Sequence, residues 1–412
     1  MEWDLRPVAA EEIVALAEAE RSAFHAPPRP EGRSEPNAWD LAELDRTLAA
    51  FDGGEIVGVG RIYSFELVVP GGAGVAAGGV SWIGVLPTHR RRGILSAMMR
   101  RQLDDAVERG EPMLVLTASE GGIYRRYGYG VSTWSMAVTV DATRSAFLRD
   151  VETRGRLRLI DEAEAAEKLP AVFDRARRGR PGSVSRPDAW WPSELFAPDH
   201  GDGTPAGARF YVLHEERGGE ADGYVAYGVA GTWEHGIPAK KATVRDMVTA
   251  DPGVRALLWR YVFDLDLVTK VESWTTPVDD PLRWLLADAR QLNRSSVGDW
   301  LWTRLLDVPA ALSARTYGAE GRVVIEVVDG VRKDVAGRYA LDGAPEGAVC
   351  ARTTQEPDLV LGAADLGAAY LGGVALSTLA RAGLVEERSS GALTRADAMF
   401  ASIPLPYCGT WF

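Results

Sequence analysis

Apolar side chains recur four apart along residues 93–110, at Leu95, Met99, Leu103 and Val107, with Ile94, Met98 and Ala106 widening the stripe. The spacing predicts a helix from Gly93 to Arg109 with one buried face, closed by Gly110 in a left-handed conformation. Upstream, "VSWIGVLP" reads as a strand; downstream, "EPMLVLTAS" reads as another. Strand, helix and strand in so short a compass make a βαβ unit with a parallel pair. Earlier, "EEIVALAEAERSAF" (Glu11 to Phe24) has helical spacing, and "GEIVGVGRIYSFELVVP" is expected to form two strands ending at Pro70. The glycine-rich Gly71–Gly79 has no Gly-Lys-Ser/Thr, so a hairpin connection is expected there and not a phosphate loop.

The same pattern returns more weakly in "ATVRDMVTADPGVRALLWRYVFDL", with Leu257, Leu258, Tyr261 and Val262 on a helix. Asp251 and Pro252 occupy the turn that carries arginines in the first copy. A third region begins near Arg294, where "GRVVIEVVDG" and "GRYALDG" read as antiparallel strands. "LVLGAADLGAAYLGGVAL" reads as a strand followed by a buried helix, which is expected to run on through its Gly-Gly pair. The chain ends "DAMFASIPLPYCGTWF", whose prolines and glycine exclude a terminal helix. Aromatic residues at a frayed end gain nothing, so Trp411 and Phe412 are expected to be docked. The fold class is α/β (α+β), in three domains at 1–150, 151–293 and 294–412.

Charge and composition narrow the function. With 46 basic against 58 acidic side chains the net charge is −12, which argues against a nucleic-acid partner. Cys350 and Cys408 are the only cysteines, too few for a disulfide framework, and the five histidines lack ligand spacing, so no metal is expected. The acidic N-terminus has no apolar core of a signal peptide, and the longest apolar window contains Asp365. A cytoplasmic protein with no membrane partner is expected.

The informative stretch is "PTHRRRGILSAMMRRQL" (Pro87–Leu103). Arginines crowd the positive end of a helix, where cations are disfavoured unless an anion docks beside them. The first amides of a helix lack internal partners, and Gly93 has no Cβ to obstruct a bulky diphosphate. Arg90, Arg91 and Arg92 would add charge at the rim. "TASEGG" superficially suggests a serine nucleophile elbow, but Thr117 replaces its first glycine and only His89 lies in the region.

Together "VSWIGVLPTHRRRGILSAMMR", "TASEGGIYRRYGYG", "DVPAALSARTYG", "AADLGAAYLGGVALSTLARAG" and the aromatic C-terminus resemble the Eis (enhanced intracellular survival) family of GNAT-superfamily N-acetyltransferases. The turn matches Arg/Gln-x-x-Gly-x-Gly/Ala at Arg90 and Gly93 and departs at Leu95, whose side chain must turn into the core. The resemblance implies an active GNAT domain, a degenerate GNAT-like domain and a sterol-carrier-like domain, with acetyl-CoA as co-substrate. It assigns the pantetheine arm to the backbone of Ile83, Gly84 and Val85. The pyrophosphate falls to Arg91, Arg92, Gly93, Ile94, Leu95 and Ser96, the last with its hydroxyl, and Ser119 and Glu120 flank the cofactor. Trp82 is either an acceptor-pocket aromatic or a buried strand aromatic.

"IYRRYGY" aligns Tyr124 with the family's general acid; without that likeness it reads equally as an ordinary strand-end tyrosine. A phenol near ~10 can protonate a thiolate near ~8.5 for about 2 kcal/mol. The base is implied to be the chain's own terminal carboxylate, on Phe412. An α-carboxyl near ~3.5 and an ammonium near ~10 are mismatched by roughly 8–9 kcal/mol, so orienting the amine or relaying its proton suits that carboxylate better than direct abstraction. The implied acceptors are small cationic amines of the aminoglycoside type, with lysine peptides or polyamines as alternatives. A homo-oligomer, in similar proteins a hexamer, is expected. A lipid or acyl-CoA binding module is the reading from another class.

Overall fold

A computed structural model describes residues 3–26, 41–152, 154–197, 208–234, 236–292 and 296–412. They fall into two compact units, one of Met1–Thr133, Trp300–Ser402 and Phe412, the other of Trp134–Asp299 and Ile403–Trp411. The order of strands in the sheets does not follow the chain: β6 and β7 are consecutive but lie in different sheets, and β14 stands between β5 and β6; the boundary expected at 293 lies outside the described residues. No helix among the described residues is long and apolar enough to cross a membrane.

The first unit holds a sheet of β1 (Asp4–Pro7), β2 (Leu48–Asp52), β3 (Glu55–Val68), β4 (Gly74–Val85), β5 (Met113–Thr117), β6 (Gly130–Val131) and β14 (Leu301–Leu305). Their order is β1-β2-β3-β4-β5-β14-β6. The two strands expected before Pro70 are one, β3. Arg61 does not interrupt it, because its buried guanidinium is paired with Glu20 at 2.5 Å. The hairpin turn is confined to Pro70–Ala73, with Val69 N–H bonded to Ala73 O at 2.9 Å. The glycines that follow lie in β4, where neighbouring side chains fill the space a Cβ would need: on Gly79 it would lie 2.3 Å from the Phe65 ring.

Helix α1 (Ile13–Ala23) and helix α2 (Ile94–Glu108) pack on this sheet. α2 buries Ile94, Met98, Met99, Gln102, Leu103 and Ala106. Val107, expected in the stripe, is 40% exposed. Four residues overshoot a turn by about 40°, so a strict fourfold repeat rotates out of the core within a few steps. Gly110 takes φ 72°, and the amide of Glu111 bonds to Ala106 O at 2.9 Å.

A second sheet in this unit comprises β15 (Gly321–Val328), β16 (Gly337–Ala344), β17 (Gly347–Arg352), β18 (Leu359–Gly362) and β19 (Val385–Glu387), ordered β17-β16-β15-β18-β19. β15 and β16 are antiparallel, as expected. The other helices of the unit are α3 (Gly121–Tyr124), α7 (Val308–Ser313), α8 (Ala363–Tyr370), α9 (Leu376–Arg381) and α10 (Ala392–Phe400). Every residue of α8 is buried. It lies so close to β14 that a Cβ on Gly367 would stand 2.1 Å from Thr303 O. The helix expected to run through the Gly-Gly pair stops at Tyr370, because Gly372 turns to φ 83° against Phe400 O.

The second unit is built on β7 (Trp134–Asp141), β8 (Arg156–Ile160), β9 (Ala208–Glu215), β10 (Ala221–Glu234), β11 (Ile237–Thr249), β12 (Val268–Pro277) and β13 (Ser296–Asp299), ordered β13-β7-β12-β11-β10-β9-β8. Its helices are α4 (Glu162–Arg177), α5 (Pro252–Phe263) and α6 (Leu282–Leu285). β11 and β12 run parallel, as β4 and β5 do, so the βαβ grammar occurs once in each unit.

Candidate active site

The site begins where two parallel strands part. β4 pairs with β5 from Ala77–Met113 to Val80–Leu116 and no further. β4 itself continues to Val85, held by β3 alone among the described residues. Trp82 and Ile83 bulge opposite Gly60, with Trp82 at φ 53°. The edge of Ile83, Gly84 and Val85 that would have met β5 therefore carries backbone groups in need of another partner.

Just beyond, α2 opens on Gly93 at φ 86° with no side-chain cap. Its first helical bond runs from Ala97 N–H to Gly93 O at 3.0 Å. The amides of Ile94, Leu95 and Ser96 thus have no acceptor within the helix. A Cβ on Gly93 would meet nothing within 4 Å. Arg90, Arg91 and Arg92 are all exposed around this mouth. Arg92 is drawn toward Asp52, at 3.5 Å, so its charge is partly spent within the protein. The Ser96 hydroxyl, expected to face an anion, shares a hydrogen bond of 2.9 Å with the Tyr127 hydroxyl, in which either can donate, and the Ser96 amide is a further donor at the mouth. α5 is finished differently: Asp251 accepts from the amides of Gly253 at 2.7 Å and Val254 at 3.0 Å, and Pro252 has none to offer.

Tyr124 ends α3 and is 6% exposed. It shares one apolar cluster with Val80, Met99, Leu116 and Tyr129, and the half-buried Ile83 and Leu95 pack on that cluster. Residues of the parted strand, the helix mouth and Tyr124 are in this way brought together. Burial, with the negative charge of Glu120 and the neighbouring Tyr127, pushes the Tyr124 phenol up to about 12. Ser119 and Glu120 are exposed on the loop from β5 to α3. Trp82 is 45% exposed and meets Phe24 edge-on at 5.7 Å, so it is not a buried strand aromatic.

Phe412 is 7% exposed. Its ring packs edge-on against Phe65 at 4.9 Å and over the bare backbone of Gly79. The main-chain oxygen of Phe412 accepts from the Thr117 hydroxyl at 3.5 Å, at the end of β5. Gly79 and Thr117 face away from Val80 and Leu116, because successive strand residues alternate. Phe412 and the Tyr124 cluster therefore approach the fork from opposite faces of the sheet.

Comparison with known proteins agrees with this geometry. The acetyltransferase (GNAT) domain family matches residues 4–132, a second acetyltransferase (GNAT) domain family residues 182–305, and the sterol carrier protein domain family residues 308–409. An uncharacterized N-acetyltransferase of Streptomyces avermitilis is 41% identical over 379 residues, 92% of either chain. N-acetyltransferase Eis of Mycobacterium tuberculosis is 35% identical over 385 residues, 90% of either chain.

The chain belongs to the Eis family.

The crystal structure of Eis1 from Mycobacterium abscessus superposes with a TM-score of 0.86 at 37% identity, covering 100% of both chains. As a member of the Eis family the protein is an N-acetyltransferase, and its GNAT domains imply acetyl-CoA as co-substrate. The residues present fit that group: uncapped amides for the diphosphate, and an unpaired strand edge for the amide-rich arm.

The sequence reading expected a docked tail but did not see what docks it. Leu405 N–H bonds to Asp279 at 3.0 Å, Tyr407 N–H to Pro181 O at 2.8 Å, and the Trp190 indole N–H to Trp411 O at 2.8 Å. Arg186, in "RPGSVSRPDAWW", binds Gly409 and Thr410. No motif announced it, since its partners are far away in sequence. On the same segment Glu194 is half-buried, and its carboxyl is pushed up to about 7 by desolvation.

Proposed function

We propose that the enzyme moves acetyl from acetyl-CoA directly to amines of small polycationic acceptors, aminoglycosides foremost and at several positions, within a ternary complex. Acetyl-CoA supplies the acetyl group as a thioester. The amides of Arg91 to Ser96 and the rim arginines hold its diphosphate, while Ile83, Gly84 and Val85 hold its arm and Ser119 and Glu120 flank it. The Phe412 carboxylate orients the incoming amine and takes its proton late or through water. Tyr124 gives a hydrogen bond, then a proton, to the departing sulfur. The exposed Trp82 lines the acceptor side. A homohexamer in the cytoplasm is part of the same proposal, and light scattering tests its assembly.

One observation carries the reading: the last residue of the chain is buried, with its carboxylate at the end of β5 where β4 and β5 diverge. Burying such a ring contributes roughly 1.5–3 kcal/mol, enough to hold a chain end in place. The test is to append a single glycine after Phe412. Turnover is expected to fall about a hundredfold or more while CoA binding survives, as misplacing a positioned group does. Normal turnover in that variant would remove the carboxylate from the mechanism. Thiol release measured against aminoglycosides, polyamines and lysine peptides assigns the acceptor; activity on lysine peptides alone would replace the aminoglycoside assignment.

A further inference from the structure

Arg186 is the most fully engaged buried cation of the second unit. Its side chain is 1% exposed, and its plane lies 3.9 Å from the Phe173 ring centre and 4.0 Å from that of Trp190. Nη1 donates to Asp246 at 2.6 Å and to the Tyr224 hydroxyl at 3.2 Å. Tyr224 donates in turn to Asp246 at 2.6 Å, so the counter-ion is itself fixed. Nη2 donates to Asp246 at 3.4 Å and to Gly409 O at 3.2 Å, and Nε to the Thr410 hydroxyl at 3.1 Å, so the fork grips the C-terminal segment as well as its counter-ion.

An ion pair so deeply buried is weak ground for stability, because desolvation offsets most of the attraction. A hydrophobic residue would pack between these rings at less cost. What an apolar replacement cannot provide is a planar fork that grips the chain at two successive residues while anchored to an immobile carboxylate. The gripped residues, Gly409 and Thr410, stand three and two positions before Phe412, and Trp190 holds the carbonyl of the next, Trp411.

We propose that Arg186 is a positioning residue for the reaction: with Asp246 behind it, it clamps Gly409 and Thr410 and so determines where the terminal carboxylate is presented. The proposal rests on the reading that the Phe412 carboxylate takes part in acetyl transfer. The clamp acts on the acceptor side of the chemistry. The partners of Arg186, namely Asp246, Tyr224, Gly409 and Thr410, all belong to the second unit, and its loss is expected to appear in kcat and not in acetyl-CoA affinity.

Arg186→Lys keeps the charge and removes the fork. Its kcat is expected to fall about tenfold or more, the scale on which a misplaced reacting group loses rate, with KM for acetyl-CoA and CoA affinity within about twofold of wild type. Arg186→Ala leaves a guanidinium-sized space beside Asp246. Millimolar guanidinium is expected to restore kcat in it, where methylammonium at equal concentration does not. A wild-type kcat in Arg186→Lys overturns the clamp, as does an equal loss of kcat and CoA affinity, which would mark a general structural role. If the alanine variant does not fold, Thr410→Val replaces it. That change removes one acceptor of the clamp, and it must lower kcat at unchanged CoA affinity or the proposal fails. The glycine-extended chain is measured alongside. Normal turnover there sinks the carboxylate reading, whereas an inactive extended chain beside a fully active Arg186→Lys sinks only the clamp.

Discussion

In the proposed reaction Tyr124 releases a proton from a place that makes release difficult. Burial and the nearby Glu120 hold its phenol up at about 12, some two units above its ordinary value, so it stays protonated throughout the working range. Against a thiol near ~8.5 the gap widens to about 3.5 units, roughly 5 kcal/mol, so hydrogen bonding to the developing thiolate carries more of its contribution than early proton release. Tyr124→Phe is expected to lower kcat about a hundredfold, within the usual range for a general acid, and to leave KM for acetyl-CoA within about twofold. Steady-state kinetics decide this, and an unchanged kcat would exclude the residue. The sign of the pH dependence follows too. Activity should rise with pH as the acceptor amine loses its proton, with no decline from the phenol up to about pH 10.5, where only about 3% of it is ionised. A downturn near pH 9 that disappears in Tyr124→Phe would contradict the raised value. In the sequence Tyr124 was visible only through the family pattern; its burial and its charged neighbour were not.

At the scale of elements, the informative features are departures from regular pairing. β4 and β5 make a short parallel ladder and then separate, and the helix that joins them starts without a cap. The glycine-rich run expected to be a connection is instead the strand that receives the C-terminus. Its composition misled because glycine signals both turns and close approach, and only the neighbours distinguish the two. Gly79→Ala tests the second meaning. The new Cβ would lie 2.3 Å from the Phe65 ring and 3.1 Å from the Phe412 ring, so one of these aromatics must move. Displacement of Phe412 is expected to cost about tenfold or more in kcat, with CoA affinity retained, read from kinetics and a CoA titration on the same preparation. Full activity would mean that the ring's seat on Gly79 is irrelevant to turnover. The helix α2 itself was legible from its spacing, apart from Val107, where the fourfold pattern outran the true period.

At the scale of the whole molecule, two units share one strand-helix-strand grammar, and the turn that opens its helix differs between them. In the first, α2 leaves amides free beneath three arginines. In the second, Asp251 consumes two amides at the corresponding point of α5, and its charge opposes an anion. The protein should therefore bind one CoA per chain, and calorimetry that returned two would refute the distinction. The chemistry of that turn was readable directly, because capping, charge and the missing proline donor act within a few residues. So were helices α1, α2 and α5, the antiparallel pair of β15 and β16, and the need for the aromatic tail to dock. What tertiary structure alone decided is which strands are neighbours and what the tail meets. β7 pairs with β12 and β13, and β14 with β5 and β6, none of these pairs adjacent in sequence, and Phe412 finds Phe65, Gly79 and Thr117 across some three hundred residues. Local pattern records the period of an element and the chemistry of its ends; it does not record partners brought together by burial, and Phe412 acquires its setting only there.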